Sequence, residues 1–302
     1  MGVLTHLNIK YDYSRHLTIL INESIYGGYL TALAAPCFVL TTSLVTSTRV
    51  DWPILCISYL LPLIVYSYDY HQDVGKEDNV NSERFMYLEK NARYYPVFLI
   101  SYVILLISLL FIFSSHQLII FIVILTGGGL LYATALKGLT KRIPVFKNIY
   151  TGLTWSLGGT FFIPFYYSLE ISLSFLIVFV CITLRAIMDA IFFDLKDLRS
   201  DAAEGLKTLP VLLGKNNTIN FLHSINLISF IPIIAGVYFK VLPLYAFALL
   251  AFYFYTFYYL KMSKKAIDSG SWGNLCYIAD FEFIIWPLFL FGVITIFKNI
   301  LC

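Results

Sequence analysis

Eleven of the 18 Asp and Glu residues in this chain gather in two places, and in each the aspartates keep a helical spacing. Asp69 and Asp73 stand at i and i+4, while Asp194, Asp197 and Asp201 stand at i, i+3 and i+7. On a helix each set forms one stripe, because residues three and four apart share a face. Such a stripe repels itself, and carboxylates beside apolar helices are costlier still, so a cation must offset them. Mg²⁺ suits one or two carboxylates with water and substrate phosphates completing its shell. Two facing stripes would hold a diphosphate through bridging metal, with Asp69, Asp73, Asp194, Asp197 and Asp201 as ligands. The cations of the same connections, Arg84, Lys137, Lys141, Arg142 and Lys207, reach for phosphate oxygens. Arg does so bidentately and Lys as a point charge. Together they stabilise a diphosphate leaving group, so that an allylic C–O bond breaks toward a carbocation. The 26 Phe and 23 Tyr residues supply π faces to shield that cation, besides packing the core and facing lipid. For one carboxylate taken alone, a solvated helix end paired with a nearby cation is an equal account. Two ordered stripes are harder to explain that way.

The elements that must carry these residues are apolar. Of 302 residues 59% are hydrophobic and only 13% charged, with a mean hydropathy of +0.77, far outside the range of soluble domains. A membrane-spanning helix needs ~20 mostly apolar residues. Nine such stretches are expected, at 17–47, 51–68, 95–114, 117–135, 149–168, 171–193, 217–237, 240–260 and 276–297. The runs are continuous where a membrane barrel would alternate, so the fold class is all-α. The whole chain, 1–302, reads as a single polytopic membrane domain, a bundle of about nine helices. The first stretch holds Gly27, Gly28 and Pro36, which predicts a kink or a split in two. The first sixteen residues are polar and lack a cleavable signal pattern, so the first helix is expected to act as the insertion signal.

Charge sorts by side. The amino-terminal segment and the even-numbered connections hold 17 of the 21 Lys and Arg residues, which makes that side cytoplasmic and places the amino terminus and both aspartate motifs there. The net charge of +3 points to no nucleic acid, because the basic residues lie between spans. The five cysteines have no metal-ligand spacing and read as small buried apolar residues. Arg185 and Asp189, one turn apart inside the sixth helix, should face the bundle as an ion pair or as cavity lining. Gly127, Gly128 and Gly129 lack the strand and Lys-Ser/Thr of a phosphate loop and predict close helix packing.

The stretch from Asp194 to Gly214, with Asp197, Asp201, Gly205 and the run Thr208-Leu209-Pro210, closely resembles the second motif of the UbiA family of intramembrane prenyltransferases. There DxxDxxxD is followed by glycine, Thr-Leu-Pro and a closing glycine. The first motif departs from the family's NDxxDxxxD: Asp69 and Asp73 are kept, while Val65-Tyr66 replaces the leading Asn-Asp. The resemblance implies a central cavity capped by cytoplasmic loops. It also implies cations and a tyrosine after the fourth helix, for which Tyr132, Lys137 and Lys141, with Lys147-Asn148 following, are the matching segment. Asn22, early in the first helix, matches a polar residue that lines the family's cavity, although a helix-interface hydrogen bond accounts for it equally.

The expected activity is therefore Mg²⁺-dependent transfer of an isoprenoid chain from a polyprenyl diphosphate to a lipid-soluble acceptor of aromatic, quinone-precursor or glycerol-lipid type. A terpene cyclase of the same family without external acceptor is one alternative. A membrane transporter gathering cations is another, although transport sites tend to sit near the midplane on broken helices.

Overall fold

The computed structural model describes residue 24 and residues 27–73, 83–269 and 272–301. Every regular element among them is helical. In chain order these are α1 (Tyr29–Ala32), α2 (Ala34–Thr46), α3 (Trp52–Asp73), α4 (Glu83–Asn91), α5 (Tyr95–Phe113), α6 (His116–Leu131), α7 (Phe146–Tyr167) and α8 (Leu173–Lys196). There follow α9 (Leu198–Ala203), α10 (Leu209–Ile228), α11 (Ile231–Tyr238), α12 (Ala251–Ser269) and α13 (Gly273–Leu301).

Seven stretches are long and apolar enough to cross a membrane: Tyr29–Thr46, Trp52–Asp69, Glu89–Phe113, His116–Leu136, Leu173–Lys196, Leu209–Tyr238 and Leu275–Asn299. The chain is an integral membrane protein. Two further stretches expected from the sequence are helical as well, α7 and the 3₁₀ segment Leu244–Leu250 running into α12. They fall outside the seven because the apolar run of α7 is diluted by Tyr150, Trp155, its glycines and its Ser and Thr residues, and α12 ends on Lys261, Lys264 and Lys265. The first stretch is split as its glycines and proline suggest. Gly28 takes φ 76, and α1 gives way to α2 at Leu33, with Pro36 in the first turn of α2 where its missing N–H leaves no bond unmade.

Packing is closest between α7 and α8. A Cβ on Gly152 would run into the side chain and backbone of Ile187, and one on Gly159 would strike Phe38. Small residues thus let α2, α7 and α8 meet at a separation that side chains would forbid. The glycine triplet behaves similarly in part. Gly128 lies against Tyr150 and Gly129 against Val65, while Gly127 faces open space. Phe38, Phe230, Phe252 and Trp286 anchor one apolar core, and Ile54, Leu118, Ile122 and Phe162 anchor a second. A third, built on Phe192, Leu222 and Tyr259, lies beside the acidic end of α8.

Candidate active site

The second acidic motif begins at a helix C-terminus, since Asp194 lies two residues before the end of α8, while in the first Asp69 lies within α3, of which Asp73 is the last described residue. A helix C-terminus carries a partial negative charge, so carboxylates there are doubly unfavourable without a cation. The second stripe does not run on one helix as its spacing predicts. Asp197, at φ −91 and ψ 8, is the joint between α8 and α9. Asp201 N–H still donates to Asp197 O at 2.8 Å, so the turn is kept while the axis breaks. Repulsion between carboxylates one turn apart, and the preference of Asp for helix ends over interiors, account for the break.

The residues after Asp201 fold back as a cap. Gly205 takes φ 71, a left-handed conformation that glycine adopts without cost, and Leu206 N–H returns to Asp201 O at 2.9 Å. Two backbone bonds then clamp this turn to the loop after α6: Lys207 N–H to Thr140 O and Val145 N–H to Lys207 O, both 2.9 Å. Val145 is held at φ 60, which a β-branched residue avoids, directly before α7 begins. Thr208 then caps α10, with Pro210 in its first turn, and Gly214 at φ 74 and ψ 169 bends the helix after that turn.

The clamp brings α7 onto the acidic end of α8. Lys147 Nζ reaches Asp194 Oδ1 at 2.7 Å, and Asn148 Nδ2 donates to Asp194 Oδ2 at 2.7 Å. Both partners of the second bond are buried. Asp201 lies close to Lys147, Asp194 and Asp197. Burial pushes its carboxyl up to about 6, against the pull of Lys147 and with the push of Asp194. Tyr132 stands within electrostatic reach of Lys147, Asp194 and Asp69, so the first motif meets the second around it. Its ring stacks on Tyr150 at 4.9 Å.

Four buried oxygens here make no close hydrogen bond among the described residues, Asp201 Oδ2, Thr208 Oγ1, Thr140 Oγ1 and Asn148 Oδ1, although Thr208 stands near enough to Asp201, and Thr140 to Tyr132, for a looser one. Among the described residues no three His, Cys, Asp or Glu side chains stand close enough to hold a metal by themselves. An all-oxygen set with orphaned acceptors fits Mg²⁺ that takes its remaining ligands from water and phosphate. Asp194 has both oxygens occupied by protein donors. Asp197 has Lys196 at 3.8 Å and Asp201 keeps Oδ2 without a close hydrogen bond, while Asp69 of the first motif lies within electrostatic reach of Tyr132.

Beneath this cluster lies a cavity of about 250 Å³, lined by Lys147 and Asp194 at one end and by Thr31, Asp189, Asp280 and Phe283 elsewhere. A second cavity of about 120 Å³, between α3, α6 and α7, is apolar, with Leu61, Leu125, Gly158 and Phe162 in its wall. Tyr66 and Trp155 line both, so the two adjoin. Tyr66 occupies the place where the family motif has its leading aspartate, and it lines both cavities.

The remaining expected residues are placed as follows. Asn22 lies outside the described residues, and so do the side chains of Asp73, Arg84 and Lys137. Lys141 is exposed. Lys207 sends Nζ to Arg142 O at 3.5 Å. Among the described residues Lys147 meets Asp194 of the second motif and Lys196 lies 3.8 Å from Asp197; the sequence offered Lys147 only as part of a segment in which Lys137 and Lys141 competed for the role. Arg185 is fully buried as expected, yet its partner is Glu282 and not Asp189. Asp280 and Glu282 were missed, and their signal was simple: carboxylates inside an apolar run are expensive unless they serve something.

Comparison with known proteins places this arrangement. A model of the UbiA prenyltransferase family matches residues 90–278, beginning after the altered first motif and taking in the whole of the second. No curated protein matches the chain in sequence. Among solved structures, the apo form of a UbiA homolog from Aeropyrum pernix K1 is similar at a TM-score of 0.66 and 13% identity, covering 89% of this chain and 98% of that one. A UbiA homolog from Archaeoglobus fulgidus, bound to DMAPP and Mg²⁺, is similar at 0.62 and 15%, covering 88% and 96%. A structure of digeranylgeranylglyceryl phosphate synthase is similar at 0.56 and 17%, covering 89% and 98%. At these identities the structures speak for the fold, and the family match over most of the chain, second motif included, carries the assignment: this chain belongs to the UbiA prenyltransferase family.

Proposed function

We propose that the chain transfers an isoprenoid group from an isoprenyl diphosphate to a hydrophobic acceptor within the bilayer, with Mg²⁺ as cofactor. The observation that carries this reading is the Lys147–Asp194–Asn148 cluster, with Asp69, Asp197 and Asp201 around it, set over a cavity that adjoins an apolar one. The relative from Archaeoglobus fulgidus supports it, having been solved with DMAPP and Mg²⁺ and with GPP and Mg²⁺.

Asp69 and Asp73 on one side and Asp197 and Asp201 on the other would each hold Mg²⁺ through one or two carboxylates, with water and phosphate completing its shell, and the bound metal would neutralise the diphosphate as it leaves. Lys147, kept in place by Asp194, presents its ammonium to the same phosphates as a fixed point charge. The apolar cavity takes the isoprenoid chain, so that its allylic carbon lies near Tyr66 and Trp155, where the two cavities join. Those rings and Phe38 keep water from the electron-poor carbon and turn π faces toward it. The basic face carrying both motifs is assigned to the cytoplasm on the positive-inside rule.

Purified protein with geranylgeranyl diphosphate, Mg²⁺ and membrane extract should release diphosphate. Asp73→Ala and Asp197→Ala should each abolish release while membrane insertion is kept, and excess donor should rescue neither. Wild-type release by both variants would reduce the motifs to solvated helix ends.

A further inference from the structure

The cavity under Lys147 and Asp194 holds two carboxylates that neither motif contains. Asp189 comes from α8 and Asp280 from α13, and both line the space along with the apolar rings of Phe38 and Phe283. Five residues separate Asp189 from Asp194, about 7.5 Å along a helix axis. The pair thus lies about a turn and a half deeper in the bundle than the diphosphate end.

The surrounding charges leave this pair without a committed donor. Arg185, one turn further along α8, is bound to Glu282, Thr256 and Asn226. Lys196 acts on Asp280 electrostatically but lies within reach of Asp197 as well, at 3.8 Å. Asp280 receives a long 3.5 Å bond from the Thr31 hydroxyl. Asp189 makes no hydrogen bond or ion pair among the described residues; its charged neighbours are Asp280, Glu282 and the already engaged Arg185. A carboxylate in such surroundings is costly unless a donor arrives to meet it. The cavity is where that donor enters.

We propose that Asp189 and Asp280 receive the hydroxyl group of an uncharged acceptor, an alcohol and not a carboxylate-bearing aromatic, and take the proton it loses. This rests on the prenyl-transfer reading above. The acceptor oxygen forms a bond to the allylic carbon as the bond from that carbon to the diphosphate oxygen breaks. The diphosphate leaves with the bonding electrons, and the hydroxyl proton passes to the Asp189 or Asp280 carboxylate and from there to water. The product is an ether. Two carboxylates lining one cavity resist being ionised together, so an acceptor bearing its own carboxylate would meet the negative charge that the pair retains and be turned away.

The test supplies the purified full chain with Mg²⁺, labelled geranylgeranyl diphosphate and either 1-O-octadecylglycerol or 4-hydroxybenzoate. In parallel it measures Mg²⁺-dependent binding of a non-hydrolysable donor analogue. The wild type should prenylate the alkylglycerol and leave the benzoate. Asp189→Asn with Asp280→Asn should lower transfer to the alcohol by about 100-fold or more, the range of a lost general base, with analogue binding unchanged. Wild-type transfer by the double variant overturns the proposal, as does loss of analogue binding together with transfer, which would make the pair structural. The acceptor panel on the wild type needs no variant to fold: an alkylglycerol no better than the benzoate also overturns it. If the wild type fails to bind the analogue with Mg²⁺, the prenyl-transfer reading itself falls and takes this one with it.

Discussion

Asp194 and Asp201 have the same side chain seven residues apart and are left by the fold in different chemical states. Asp194 is closed off by Lys147 and Asn148, while Asp201 keeps one buried oxygen without a close hydrogen bond and a carboxyl pushed up to about 6. The proton and Mg²⁺ compete for that carboxylate. Binding of the metal therefore weakens as pH falls below about 6, and proton release accompanies binding near that pH. Asp201→Asn should weaken Mg²⁺ binding and erase its pH dependence, which calorimetry in two buffers of different ionisation heat would register. A dependence that survives in Asp201→Asn would place the titrating group elsewhere. The spacing of the aspartates was legible in the sequence because helical periodicity is local. The cation that meets Asp194 was not: Lys147 lies 47 residues from Asp194, and its approach depends on the clamp between Thr140, Val145 and Lys207.

At the scale of elements, the two glycines of the second motif serve as joints. Neither would meet a neighbour if given a Cβ, so the cost of a side chain is conformational alone. Gly205 lies in a left-handed turn, where alanine costs about 1–2 kcal/mol. Gly214, at φ 74 and ψ 169, lies in a region essentially reserved for glycine, where the cost is about 1–3 kcal/mol. Gly214→Ala should therefore lower the thermal midpoint at least as much as Gly205→Ala, and a neutral Gly214→Ala would contradict the bend. Gly158 has the opposite character, since its added Cβ would make only ordinary contact, 3.4 Å from Phe162. Gly158→Leu would extend into the apolar cavity and should depress turnover of geranylgeranyl diphosphate more than that of dimethylallyl diphosphate. Equal loss with both donors would place the isoprenoid chain elsewhere. Helix positions were readable from apolar runs, but the break at Asp197 was not, because spacing alone shows where a stripe would fall and not whether one axis carries it.

At the scale of the molecule, the second half of the bundle is tied through one buried charge. Arg185 of α8 meets Asn226 of α10, Thr256 of α12 and Glu282 of α13, and its guanidinium lies 4.9 Å from the Phe230 ring centre. Glu282 also accepts from Thr256 at 2.9 Å and Tyr259 at 3.3 Å. Four helices thus share one hydrogen-bonded node, and two of them, α8 and α13, line the cavity. The sequence placed Arg185 inside the bundle and offered Asp189 as its partner or, equally, a place in the cavity lining, since a partner one turn away is visible in sequence and one 97 residues away is not. The true pairing has a functional consequence, because it leaves Asp189 to the cavity. Breaking a buried ion pair strands a charge and costs about 3–5 kcal/mol, whereas replacing both partners with apolar residues of similar size is often close to neutral. Arg185→Met alone and Glu282→Met alone should each reduce resistance to denaturation sharply, and the double variant should recover much of the loss. In Arg185→Met the stranded Glu282 lies near Asp189 and Asp280, which adds a third carboxylate to their field. Transfer activity in that variant should accordingly fall further than in the more stable double variant at a temperature where both remain folded. Equal stability for single and double variants would mean that Asn226, Thr256 and Tyr259 hold each charge without its partner.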